Sequence, residues 1–295
     1  MYLPFGRRAG LVPHTDQFLT LLGAVLDSPA VVLHGFYTHS GTSYASKSLQ
    51  DASGYLTAEI IAALDAVQVT HANFPASKIP PLVLSVGSTP TAHAFSPEAL
   101  AGLQARLDEV AGSGGAEFEL HAGNYTMLDL QQTATSLVSL PSVSQRVLAS
   151  VISYYPGRGK NAEGEKEDEV LCDAGAIAMS KDTGPIPGFG DVVRIIRSDR
   201  AGGVFDSGLG TYSEESGWSL GRISQEHGIL TRKPGAGPVR DTQTLLVGDM
   251  IEIVGQHACL IAAAHPWYYI VDPPAYQGSA GDQYVVDIWV PCKGW

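Results

Sequence analysis

The chain has 295 residues, is 44% hydrophobic and 16% charged, and carries a formal net charge of −12 at neutral pH. That length suffices for one large domain or two medium ones with real cores. An acidic balance with no basic block argues against nucleic acid or an anionic membrane surface as the main partner, because both are bound through clustered Lys and Arg. The cysteines Cys172, Cys259 and Cys292 are too few and too scattered for a disulfide framework and fit a reducing compartment. No apolar run reaches the ~20 residues of a membrane span. The start, Met1–Arg8, lacks the long apolar region of a signal peptide. The expectation is a cytoplasmic protein.

In chain order, Phe18, Leu19, Leu22, Val25 and Leu26 repeat at helical spacing behind Thr15 or Asp16 and predict a helix over 15–26. Val31–Tyr37 reads as a buried strand that ends in Thr38-His39-Ser40-Gly41. A helix fits 50–69, with Leu56, Ile60, Ala63, Leu64 and Val67 on one stripe. Pro81–Val86 is a second buried strand, 97–110 a third helix, and Glu117–His121 an alternating strand broken by Gly123-Asn124. Apolar strands separated by amphipathic helices indicate βα units and a parallel sheet. Their C-terminal ends, rich in Gly and polar residues, are where such folds place their sites. A turn such as Gly123-Asn124 offers successive N–H groups to a phosphate, although a plain strand-ending turn has the same sequence.

From about residue 135 the texture changes to strands, turns and long loops. Val147–Tyr154 is β-rich, Gly157–Glu169 a charged loop or hairpin tip, and Val170–Ser180 a strand entering a turn. Residues 198–217 and 231–242 are Gly/Pro/Ser-rich loops. Met250–Val254, Trp267–Asp272 and Tyr284–Pro291 are strands, with Cys259–Ala264 between the first two. His257 and Cys259 are two apart, so in a strand they face one side, and imidazole with thiolate suits zinc. A buried cysteine beside a hydrogen-bonded histidine is the plainer reading of the pair taken alone.

Several stretches together resemble the D-serine dehydratase branch of the fold-type III pyridoxal-phosphate enzymes. They are Arg8-Ala-Gly, Gly35–Tyr44, Ser85–Thr91, Glu119–Tyr125, Cys172-Asp-Ala-Gly with Ser180-Lys-Asp182, Ser224–Gly228, Gln256–Cys259 and Ile288–Trp295. The resemblance covers nearly the whole chain in order. It implies the C-terminal half of a (β/α)8 barrel over 1–134, incomplete, followed by a mostly antiparallel β-domain over 135–295. Pyridoxal 5'-phosphate and Zn2+ are the implied cofactors, and a homodimer is the implied assembly.

Within the resemblance, Tyr37, His39 and Tyr44 surround the cofactor ring, with His39 the catalytic candidate. Thr89, Gly123 and Asn124 hold its phosphate, Arg8 lies near its ring oxygen, and His257 and Cys259 bind the metal. The family's usual Pro before Gly-Asn-Tyr is Ala122 here, which keeps its N–H. D-threonine aldolases are similar but carry an acid in place of the cysteine, so Cys259 favours the dehydratase. The implied activity is dehydration of D-serine, or a similar D-3-hydroxy amino acid, to a keto acid and ammonia; aldolase-like cleavage is the narrower alternative.

In this family a lysine on the first barrel strand, well upstream of Arg-Ala-Gly, anchors the cofactor as a Schiff base. The seven lysines here are Lys47, Lys78, Lys160, Lys166, Lys181, Lys233 and Lys293, and none ends an apolar strand in that way. The expectation is a truncated or split form without that lysine, which opens a second class of function: a non-catalytic or partner-dependent fragment.

Overall fold

A computed structural model describes residues 10–112, 115–161, 164–197, 204–206, 216–237, 239–271 and 285–292. Arg8, Lys293 and most of the Gly-rich stretch 198–217 lie outside the described residues. The chain forms two compact units, Met1–Tyr125 with Thr135–Leu137, and Thr126–Ala134 with Val138–Trp295.

The first unit runs α1 (Asp16–Leu26), β1 (Gly35–Tyr37), α2 (Leu49–Asn73), β2 (Leu82–Val86), α3 (Thr89–Ala92), α4 (Pro97–Ala111) and β3 (Ala116–Leu120). Thr15 and Ser48 start the long helices, their hydroxyls accepting the N–H of Phe18 and Asp51. The three strands are parallel in the order β1-β2-β3, with Gly35 opposite Val83 and Leu82 opposite Ala116. One face of the sheet buries Phe36, Leu84 and Val86 against Leu64 and Val67 of α2, Leu107 of α4, and Phe18 and Leu22 of α1. Phe18 and Phe36 stack at 5.9 Å, and truncating such a fully buried ring to Ala costs about 3–5 kcal/mol. The other face carries Glu117 and Glu119, both exposed.

The strand expected over 31–37 is shorter than its apolar run. Pairing begins at Gly35, whose missing Cβ would lie 1.9 Å from the Val83 carbonyl oxygen. Val31 and Val32 precede that contact, have no strand partner and are 53% and 79% exposed.

The second unit runs α5 (Leu130–Thr133), β4 (Val147–Lys160), β5 (Lys166–Cys172), α6 (Ala176–Met179), β6 (Gly190–Ile196), β7 (Val204–Asp206), β8 (Trp218–Ile223), β9 (Gly228–Arg232), β10 (Met250–Gly255), α7 (Ala258–Ala264), β11 (Tyr268–Val271) and β12 (Val285–Trp289). The main sheet is antiparallel in the order β10-β4-β5-β9-β8-β6-β7, and β10 pairs with β6 as well as β4. Those pairings close β4, β5, β9, β8, β6 and β10 into a ring, which leaves no open edge among them. Its interior is filled by Trp218, Leu220, Leu230, Ile195, Ile251, Ile253 and Val170. The Trp218 indole N–H donates to the Gln243 carbonyl at 2.8 Å, so the largest buried ring keeps its polar atom satisfied. Glu252 on β10, nearly buried, accepts from Arg146 at 2.8 Å and Arg194 at 2.9 Å. β11 and β12 form a separate two-stranded ribbon.

Three expectations change in this unit. Gly157–Glu169 is mostly strand: β4 and β5 pair out to Lys160 and Lys166, and only a short turn closed by Asn161 and Glu165 remains. Gly157 takes φ +61° where the register slips, which lets a charged, glycine-bearing segment stay in the ladder. Residues 190–196 form a central strand that the pattern did not single out, because Asp191 and Arg194 interrupt its apolar run. Residues 258–264 are helical, so His257 and Cys259 do not share a strand.

Candidate active site

In the first unit the expected residues gather at the carboxyl ends of the three strands. Tyr37 ends β1, and its ring lies 5.5 Å from that of His121, just past β3. Tyr37, Ser85 and Glu119 are register partners across the sheet and so share its uncovered face. The Ser85 hydroxyl donates to Glu119 at 2.9 Å, and His121 Nε2 lies 2.7 Å from the same carboxylate. These hydrogen bonds, that of His121 first, hold the Glu119 carboxyl below its ordinary value.

Just beyond β1, His39 Nδ1 lies 3.2 Å from the Gly87 carbonyl. In the neutral ring that contact puts the proton on Nδ1 and leaves the lone pair on Nε2. Tyr44 stands 6.4 Å from His39, ring centre to ring centre, on a turn of 3-10 helix over Gly41–Ala45. Gly87 takes φ +113°, and a Cβ there would lie 2.6 Å from the His121 carbonyl oxygen, so the loops after β2 and β3 meet at a glycine. The glycine at which these loops meet is Gly87, one residue after β2.

The phosphate candidates lie beside these. Ser88 opens α3 with a capping box: its N–H donates to Thr91 Oγ1 at 2.8 Å. The buried Thr89 hydroxyl accepts the Asn124 N–H at 3.1 Å, which joins the loops after β2 and β3. Gly123 is exposed next to them. The Thr89 hydroxyl and the exposed Gly123 alongside, backed by the mutually hydrogen-bonded Ser43, Ser88 and Thr91, are a set that fits a phosphate ester. Glu59 of α2, fully buried, lies in the same network, and sequence reading missed it. The signal was available: Glu59 falls between Leu56 and Ile60 on the apolar stripe of α2, where a carboxylate is out of place.

In the second unit, His257 is the residue that starts α7, and Cys259 is the helix's second residue. Asp129 fixes this start. Its Oδ1 accepts the Gln132 N–H at 2.9 Å, capping α5, and its Oδ2 accepts the Ala258 N–H at 2.8 Å, capping α7. Asp182 Oδ2 lies 2.6 Å from His257 Nδ1, and Gln131 Nε2 donates to the same oxygen at 3.1 Å. Nδ1 engaged in this way leaves Nε2 as the nitrogen available to a metal. The neighbouring Cys259 thiol first, and the Asp182 carboxylate after it, raise the His257 ring to about 9 against the opposing effect of burial. The surroundings therefore favour a positive charge at this ring, whether a proton or a metal supplies it. His257 and Cys259 remain a fitting two-donor set for zinc, although they are brought together by a helix start instead of a strand. No group of three or more His, Cys, Asp or Glu able to hold an ion occurs among the described residues.

The stretch Ser224–Gly228, whose role the sequence left open, is the β8–β9 hairpin tip. Its Ser224 and Gln225 carbonyls accept the N–H groups of Ala176 and Ile177 at 2.9 and 3.1 Å, so it docks the start of α6.

The chain is similar to known proteins along nearly all of its length. Residues 144–271 match the family described as "Putative serine dehydratase domain". A D-serine dehydratase of Schizosaccharomyces pombe is 39% identical over 289 residues, 98% of this chain and 58% of that protein. The chain resembles the D-serine dehydratases. It spans about three fifths of the length of the curated relatives it matches. An alanine racemase-like protein of Idiomarina loihiensis superimposes with a TM-score of 0.60 at 25% identity, over 98% of this chain and 62% of that one. Two solved structures are mutants of a D-threo-3-hydroxyaspartate dehydratase. The first, a His-to-Ala mutant, has a TM-score of 0.66 at 26% identity, over 99% of this chain and 62% of that one. The second, a Cys-to-Ala mutant in the metal-free form, gives 0.65 at 27%, over 98% and 64%. The mutated histidine and cysteine are two positions apart in that enzyme, the spacing of His257 and Cys259. No helix among the described residues is long and apolar enough to cross a membrane.

Proposed function

We propose that this chain is part of a lyase that dehydrates D-serine, or a similar D-3-hydroxy amino acid, to a keto acid and ammonia, with pyridoxal 5'-phosphate and Zn2+ as cofactors. The observation that carries the reading is the His257 and Cys259 pair, backed by Asp182, in a chain similar to named dehydratases along its length.

Thr89, Gly123 and Asn124 would hold the cofactor phosphate, and Tyr37 and Tyr44 would bound its ring. When bound, the cofactor supplies an electron sink for the pair released at the substrate Cα. His39, with Nδ1 turned to the Gly87 carbonyl, would take or return a proton at Nε2. His257 Nε2 and the Cys259 sulfur would hold the zinc, which would supply Lewis acidity toward a hydroxyl leaving group. The substrate loses the Cα proton and the β-hydroxyl as water, and hydrolysis of the resulting enamine gives the keto acid and ammonia. Assembly as a homodimer belongs to the same reading.

The test is release of pyruvate from D-serine by purified protein supplied with pyridoxal phosphate and zinc. D-serine-dependent pyruvate that disappears in His257→Ala and Cys259→Ala supports the reading, and no pyruvate from the full-length protein overturns it. Glycine and acetaldehyde from D-threonine would instead indicate the aldolase-like activity.

A second reading has a specific observation in its favour. Parallel sheets are usually covered on both faces, yet here Glu117 and Glu119 leave one face exposed. That favours a partner-dependent half whose sheet is completed by further chain, with the cofactor lysine supplied from there.

A further inference from the structure

We propose that Glu59 is a positioning residue, a buried clasp that holds the loops following β1, β2 and β3 in the arrangement that receives a phosphate ester. The inference rests on the cofactor reading above and adds to it a residue on none of the site loops.

Glu59 is fully buried, and it is the one charged side chain buried among the described residues of the first unit. A buried carboxylate costs several kcal/mol unless its acceptor sites are filled. Here they are filled by the site loops. Oε1 accepts the N–H of Ser40, three residues past β1, and Oε2 accepts the Thr91 hydroxyl of α3 at 3.2 Å. The same Thr91 oxygen accepts the Ser88 N–H at 2.8 Å. Ser88 Oγ meets Ser43 Oγ at 2.7 Å, which ties the first loop to the second again. Thr89, between Ser88 and Thr91, holds the Asn124 N–H of the third loop. One helix side chain therefore fixes the spacing of the loops that contain His39, Tyr44, Thr89 and Asn124.

The residue type follows from the donors. The Ser40 N–H points at the side chain, and the Thr91 hydroxyl lies 3.2 Å from both Glu59 Oε2 and the Ser88 carbonyl, so a side chain with two acceptor oxygens can serve both donors. A glutamine offers one oxygen and an NH2. The NH2 would turn toward Thr91, whose hydroxyl proton would then have to leave the side chain for the Ser88 carbonyl, 3.2 Å away. An aliphatic residue would leave the Ser40 N–H buried and unsatisfied.

The experiment compares equilibrium binding of pyridoxal phosphate, pyridoxal and inorganic phosphate to the full-length wild-type protein, Glu59→Gln and Thr91→Val. Loss of one buried hydrogen bond in the clasp predicts pyridoxal phosphate affinity lowered about tenfold in Glu59→Gln, with pyridoxal unchanged within about twofold. Inorganic phosphate should weaken with pyridoxal phosphate, and amide exchange over 38–46 and 87–92 should quicken. Wild-type preference for pyridoxal phosphate over pyridoxal, with unchanged affinities in Glu59→Gln, overturns the clasp and leaves the cofactor reading standing. No such preference in the wild type overturns both. Should Glu59→Gln fail to fold, Thr91→Val removes a single hydroxyl from the same clasp. Selective loss of the phosphorylated ligand in that variant supports the proposal, and equal loss or no loss of both ligands overturns it.

Discussion

Asp182 holds His257 by its Nδ1 at 2.6 Å, and Gln131 in turn holds Asp182 at 3.1 Å. A ligand histidine oriented in this way keeps one ring nitrogen pointed outward, and losing the orienting carboxylate typically lowers metal affinity about 10–100-fold. Asp182→Asn should therefore bind zinc more weakly by about that factor, measured by competition with a chromogenic chelator. Affinity equal to wild type would remove Asp182 from the site.

Asp129 caps two helices with one carboxylate, so its loss should exceed that of an ordinary cap. With about 0.5–2 kcal/mol for each cap, Asp129→Ala should lose about 1–3 kcal/mol in urea unfolding, while Asp129→Asn, which keeps one acceptor oxygen, should lose less. A loss under about 0.5 kcal/mol would show that neither contact acts as an ordinary cap.

Glu59 gives the first unit a pH dependence whose sign is opposite to that of a salt-bridged acid. Burial, the largest influence on it, raises its carboxyl from 4.5 to about 7. The folded state thus holds the proton more tightly than the unfolded chain, and stability contributed by this group is present below pH 4.5 and lost as pH rises through 7. Glu59→Gln does not titrate. The difference in stability between Glu59→Gln and wild type should shift in favour of the variant between pH 5 and pH 8, by at most on the order of 3 kcal/mol. A difference that stays constant across that range would contradict the burial of the charge.

Glu252 bridges Arg146 and Arg194 almost wholly out of solvent. Removing one member of such a set leaves charges buried without their partner. Glu252→Ala should destabilise by about 3–5 kcal/mol, visible as a lowered urea midpoint. Replacing all three residues together by apolar ones of similar volume should restore most of that loss.

The first unit was legible because its elements are set by local periodicity. The stripe Leu56, Ile60, Ala63 and Leu64 gave α2, and the apolar run Leu82–Val86 gave β2. Glu59 escaped for the same reason. The stripe was read for what it contained, and the carboxylate interrupting it finds its partners only when β1 and β2 bring Ser40 and Thr91 to the helix. In the second unit, ring pairing overrides local pattern. Asp191 and Arg194 are tolerated in β6 because Lys233 and Glu252 meet them there. His257 and Cys259 were legible as a pair, but their geometry was not. Ala258–Ala264 becomes helical because a residue far upstream, Asp129, caps it.

The strand β10 pairs with β4 on one side and with β6 on the other, across the intervening residues 161–249 in the first case. During synthesis the ring therefore stays open until residue 255 has emerged, and every earlier strand waits for it. His257 and Cys259 follow within the next four residues. The segment that completes the ring also delivers His257 and Cys259, so a chain stopped just short of it would lose its closure and the proposed metal pair together.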